Sequence, residues 1–127
     1  MRMVSIMEKN FVIEVFRDTF KRVLYSSIGE SACEAIIFFL HMELNRDPFE
    51  VFWENPRTVY HAMEKIFGVG AEILINTFVE RVNQEYGLNM RTERFLNLMR
   101  NSNQNSIKKV RDFLREIAEL HRERNRE

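Results

Sequence analysis

Three histidines and one cysteine carry the widest chemical repertoire in this chain, and their neighbours decide what they can do. A carboxylate-bridged di-iron bundle needs Glu-x-x-His pairs on two helices. The residues three before His41, His61 and His121 are Phe38, Thr58 and Ala118, so that arrangement is excluded. His61 and Glu64 share a helix face, yet a metal site needs three or four converging ligands, and the pair reads as a local hydrogen bond. Cys33 stands alone, which removes an intrachain disulfide and a Cys-rich zinc site and favours a reducing cytoplasm. Embedded among apolar residues, its thiolate is disfavoured by desolvation, and the expected role is that of a small core residue. Glu30 and Glu34 lie one turn apart, as at many capped helix starts. No nucleophile elbow or phosphate loop is present. The expectation is therefore no catalytic residue, no cofactor and no metal.

One punctuated segment, Phe67-Gly68-Val69-Gly70-Ala71, invites a helix-hairpin-helix reading, in which paired glycines bring backbone N–H groups up to a nucleic-acid phosphate. That motif wants a small residue about four after the second glycine and a basic residue near the turn. Leu74 and Glu72 occupy those places here. The plainer reading, a tight interhelical corner at Phe67, Gly68, Gly70 and Ala71, is preferred.

The elements that must position these residues are helices. The 127 residues include only four Gly and two Pro, and apolar residues recur at helical spacing almost throughout. Eleven Phe within a 45% hydrophobic composition supply core for one domain. Nineteen basic and nineteen acidic residues cancel, which leaves no global field toward nucleic acid, an anionic membrane or an acidic substrate. Only from Leu88 onward do ten Lys or Arg outnumber six Asp or Glu. The longest apolar run, Ala35 to Leu40, falls far short of the roughly 20 residues of a membrane span. Met1 to Met7 lacks the apolar stretch of a signal peptide, so a cytoplasmic protein is expected.

The spacing predicts a first helix from about Glu8 to Tyr25, with Phe11, Val12, Val15, Phe16, Phe20 and Val23 on one stripe. A second helix, opened by a capping box at Ser27 with Glu30 or at Ser31 with Glu34, runs to about Asn45. Being apolar around most of its circumference, its segment Ala32 to Leu44 is expected to be the buried centre of the bundle. Asp47-Pro48 and Asn55-Pro56 each combine a capping side chain with a proline at the first helical position. They head a short turn through Trp53 and a helix to about Phe67. A helix from Ala71 to Tyr86 ends at Gly87 in a left-handed cap, and a short one covers Thr92 to Arg100. The whole reads as an all-α bundle of about five main helices plus one short turn, with a core domain over residues 1–100.

The stretch Ala62-Met63-Glu64-Lys65-Ile66-Phe67-Gly68-Val69-Gly70-Ala71, followed by Ile75 and Phe78-Val79, resembles the small helical archaeal Nitrosopumilus output domain, a family of unknown function. Ile28-Gly29-Glu30-Ser31, Asp47-Pro48-Phe49 and Asn55-Pro56 also fit its layout. The likeness covers roughly residues 8–100 and implies an archaeal, cytoplasmic regulatory or protein-binding module, with no enzymatic residue to carry over.

Residues 101–105 read as a polar connector and 106–127 as a C-terminal amphipathic helix capped by Ser106, dissolving into a charged tail from His121. Its seam of Ile107, Val110, Leu114 and Ile117, with Phe113 and Leu120 alongside, has coiled-coil spacing. Such a strip packs either on its own domain or on another chain. The expected function is a non-enzymatic interaction or regulatory module that self-associates, as a dimer, through this helix, or binds another protein. The alternative is a nucleic-acid-binding domain using the Gly68–Ala71 turn and the Arg-rich end. A third reading, an apolar ligand held between helices lined by Phe and Met, is weighed against those residues being core.

Overall fold

Two capping side chains followed by prolines set the frame in the middle of the chain. Asp47 Oδ1 accepts the Phe49 N–H at 2.9 Å and Asn55 Oδ1 accepts the Arg57 N–H at 3.1 Å, with Pro48 and Pro56 at the first helical positions. Each cap satisfies a donor that the first turn of a helix leaves open, while proline has no N–H to lose there. The computed structural model describes residues 2–101 and 103–125, with side chains from Glu8 onward. Among them the helices are α1 (Arg2–Ile28), α2 (Glu30–Leu44), α3 (Pro48–Glu54), α4 (Pro56–Phe67), α5 (Gly70–Tyr86), α6 (Thr92–Asn101) and α7 (Gln104–Asn125). They form an all-α bundle of seven helices, and no helix of the described residues is long and apolar enough to cross a membrane.

Several boundaries differ from the sequence pattern. Helix α1 runs on through Ser26 and Ser27, because the Ser27 hydroxyl donates back to the Val23 carbonyl at 2.9 Å instead of capping the next helix. Neither capping box forms at α2. Its start is set by Gly29 at φ 94°, a left-handed value that favours glycine, and the chain doubles back within that one residue. Asn103, not Ser106, caps α7: its Oδ1 accepts the Ser106 N–H at 2.8 Å, and Ser106 is buried in the first turn. Ser102 of the expected connector and Arg126 and Glu127 of the expected tail lie outside the described residues. The rest of the tail stays helical to Asn125. The left-handed cap at Gly87 forms as the sequence predicts. The Leu88 N–H reaches the Asn83 carbonyl at 3.0 Å, and Leu88 packs against the core.

The central element is α1. It packs against α2, α3, α5 and α7, and its Phe16 ring lies 4.9–5.7 Å from the rings of Phe49, Phe52 and Phe78. Phe52 stacks on Phe95 of α6, which meets Phe113 of α7 at 5.5 Å, so one aromatic chain ties five helices together.

The expectation that Ala32 to Leu44 forms the buried centre is corrected. On α2 only Cys33, Ile36 and Leu40 are fully buried, and the helix lies against the outside of the bundle. A helix apolar on every side can still be held by one side alone, provided something in the surroundings tolerates the other.

Candidate interaction surface

The residues singled out for chemistry are dispersed. The His61 ring accepts the Arg57 Nε–H at 3.0 Å and approaches Glu64 at 3.6 Å, a local arrangement on the exposed face of α4. His121 sits beside the Tyr86 hydroxyl at 3.4 Å and the Asn125 amide at 3.0 Å, where α7 meets α5. Among the described residues no group of three His, Cys, Asp or Glu converges. The Cys33 thiol is fully buried, and burial, with Glu34 nearby, pushes its pKa up to about 11. Between the helices lies a partly open apolar cavity of about 40 Å³ lined by Phe16, Phe49, Phe78 and Met99 among others. That is room for about one water, far below a small-molecule site of roughly 300 Å³ or more.

The glycine turn is a corner. Gly68 caps α4 through its N–H to the Glu64 carbonyl at 2.8 Å and takes φ 58°, the left-handed region that glycine alone enters cheaply. Phe67 is partly buried and Ala71 fully so, while a Cβ on Gly70 would meet the Phe67 Cβ at an ordinary 3.5 Å. The nearest charges are already committed: Lys65 binds Glu43 at 2.9 Å, and Glu72 receives Arg100 at 2.5 Å.

The seam on α7 is spent inside the chain. Val110, Phe113, Leu114 and Ile117 are buried, and Ile107 and Leu120 are half-buried at its edges. Arginines then fasten the helix from its flanks. Arg111 and Arg115 lie over the Trp53 ring at 4.9 and 5.2 Å, and Arg111 Nε donates to the Trp53 carbonyl at 2.9 Å. Burial of Arg111, with Arg115 beside it, lowers its pKa. Arg115 also reaches Glu8 at 2.7 Å, Arg122 covers the Phe11 ring at 4.5 Å, and Arg124 covers Tyr86 at 4.7 Å. Each such cation–π contact is worth about 0.5–1 kcal/mol at an exposed site. Engagement over rings and with Glu8, Glu119 and Glu85 occupies these guanidinium groups, although Arg115, Arg122 and Arg124 stay 41–55% exposed, and it weighs against the Arg-rich end as a nucleic-acid surface.

The larger apolar surface left uncovered among the described residues is one side of α2; Val69 and Ile73, at the start of α5, are exposed separately from it. Residues on a helix step by about 100°, so Ser31, Ala32, Ala35, Phe38, Phe39 and Met42 share an arc of roughly one third of the circumference, opposite Cys33, Ile36 and Leu40. No charged residue falls within that arc. Phe38 is 58% exposed, Phe39 50% and Met42 65%, while Ile28 is exposed at the joint just before it. The two rings lean edge to face at 5.8 Å, which braces them against each other. The borders of the arc are polar and neutralised. On one side Glu34 takes the Tyr25 hydroxyl and Lys21, and on the other Glu43 takes Lys65. The bond to Glu34 pushes the Tyr25 pKa up to about 12. An apolar centre inside a polar rim is the anatomy of a protein-binding patch.

Comparison of the chain with protein-family models, with curated proteins and with solved structures returns no match.

Sequence reasoning missed this surface because it assigned the apolar residues of the second helix to the core as a set. A usable signal was present: Ala32, Ala35, Phe39 and Met42 are spaced three and four apart, a seam separate from that of Cys33, Ile36 and Leu40. Two seams on one helix can be covered separately, and the rest of the chain covers one.

Proposed function

We propose that this protein is a non-enzymatic interaction module of the cytoplasm, of a regulatory kind, whose working surface is the outer arc of α2. The observation that carries the reading is the exposure of Phe38, Phe39 and Met42 on a face without charge, bordered by satisfied ion pairs. The free, buried Cys33 agrees with a reducing compartment. The resemblance of residues 8–100 to the Nitrosopumilus output domain supports the same class of function. The expected association through α7 is replaced in this proposal, since the α7 seam is covered by α1, α3, α5 and α6 of its own chain.

A photo-crosslinking amino acid placed at Phe39, with a control at exposed Asn97, tests the reading in cells that express the full chain. Protein adducts are expected from position 39 and not from 97. Equal or absent adducts at both positions would remove α2 as the working surface.

A further inference from the structure

The outer arc of α2 has a direction as well as a composition. Its N-terminal half carries the small residues Ser31, Ala32 and Ala35, and its C-terminal half carries the large residues Phe38, Phe39 and Met42. We infer that the occupant of this face is a second copy of the same chain, docked so that the two α2 helices run antiparallel about a two-fold axis. The inference rests on the proposed reading of α2 as an interaction surface and adds the identity of the partner.

Steric matching decides the orientation. With the axis passing near Ile37, Ala32 of one copy lies opposite Met42 of the other, and Ala35 opposite Phe39. Met42 and Phe39 then each enter the space that an alanine leaves, Phe38 lies at the margin of the face, and both halves of the interface are identical by symmetry. A parallel pair would set Phe against Phe at one end and Ala against Ala at the other, which splays the helices and leaves a void. The antiparallel pair also sets the two helix dipoles in opposition. The borders raise no obstacle, because Glu34 and Glu43 arrive already paired with Lys21 and Lys65.

The area is sufficient for a reversible dimer. Three large side chains at half exposure or more contribute on the order of 100 Å² each. With Ile28, the alanines and Ser31 the face offers on the order of 500 Å² per copy, so the pair buries roughly 1,000 Å², the lower bound for a specific interface. An interface at that lower bound fits a reversible association and not an obligate assembly; since area alone does not set affinity, a micromolar dissociation constant is the expectation to be measured.

Sedimentation equilibrium of the full chain from about 1 µM to about 300 µM brackets that affinity. A rise from the mass of one chain to the mass of two is expected, and Phe39→Glu, with unchanged helical circular dichroism, is expected to remain at the mass of one throughout. The register is read independently by cysteine pairing. Ala32→Cys mixed with Met42→Cys should form an intermolecular disulfide, and neither variant alone should, since like positions then lie about 15 Å apart along the helix. A chain that stays monomeric at the highest concentration, a dimer indifferent to Phe39→Glu, or pairing of Ala32→Cys with itself would each overturn the inference. If the chain is monomeric while position 39 still crosslinks a different protein in cells, the second-copy inference fails and the interaction-module reading survives. If position 39 yields no adduct either, both fail.

Discussion

Helices α2 and α7 exchange the places that their compositions suggest. The oilier helix, α2, is fastened along one side by Cys33, Ile36 and Leu40 and turns Phe38, Phe39 and Met42 outward. The more charged helix, α7, is buried along its seam and clamped by arginines lying on Trp53, Phe11 and Tyr86. A narrow apolar strip docks well when long side chains beside it can cover aromatic rings with their stems and place their charge at the rim. A broad apolar surface does not bury itself unless a second surface faces it. Total hydrophobicity therefore says how much a helix can bury, and the spacing of its seams says how many neighbours it needs.

The contrast is broken most forcefully by truncating the α7 seam. Leu114→Ala removes a side chain that is 1% exposed and should cost about 2–5 kcal/mol. Chemical denaturation should show a lower midpoint with an unchanged slope. If α7 were a detachable appendage, the midpoint would hardly move.

The clamps give a smaller effect. Replacing Arg111 and Arg115 together with Ala should cost about 1–2 kcal/mol, from two cation–π contacts and one hydrogen bond to the Trp53 carbonyl. Hydrogen exchange should quicken along α7 before it quickens in α1.

Much of this was legible in the sequence, and the reasons differ by element. Asp47-Pro48, Asn55-Pro56 and Gly87 encode their turns locally, since cap, proline and left-handed glycine act within a few residues. The α7 seam was readable as a seam, but not its partner: Trp53 sits more than fifty residues away, and only the fold brings it under Arg111 and Arg115. The Ser27 capping box failed for a related reason, because the hydroxyl found the Val23 carbonyl in a helix that had not yet ended. The exposure of α2 depends on what the other six helices leave uncovered, a property of the whole packing that no local pattern contains.

Alkaline titration separates the two helices again. Cys33 is held at about 11 against an ordinary 9.0, and Tyr25, bonded to Glu34, at about 12 against 10.0. Both groups bind their proton more tightly in the folded chain, so their contribution to stability is complete below about pH 9 and is lost as pH rises from there toward 12. Both belong to the attachment of α2. Denaturation midpoints should be level from pH 7 to 9 and fall above it, and Cys33→Ala should flatten the part of that fall below pH 11. A decline of equal slope in Cys33→Ala would assign the alkaline loss elsewhere.

The sharpest test of the account asks whether the outer arc of α2 belongs to the fold at all. Phe38, Phe39 and Met42 are replaced together by Ser, and the denaturation free energy is compared with that of the unaltered chain at a concentration low enough to keep both monomeric. Because half or more of each residue is exposed within one chain, stability should change by no more than about 0.5 kcal/mol per substitution, about 1.5 kcal/mol for the three together, as for surface substitutions. A loss of several kcal/mol would show that the arc is buried core, and the division between an integral α7 and a presented α2 would be wrong.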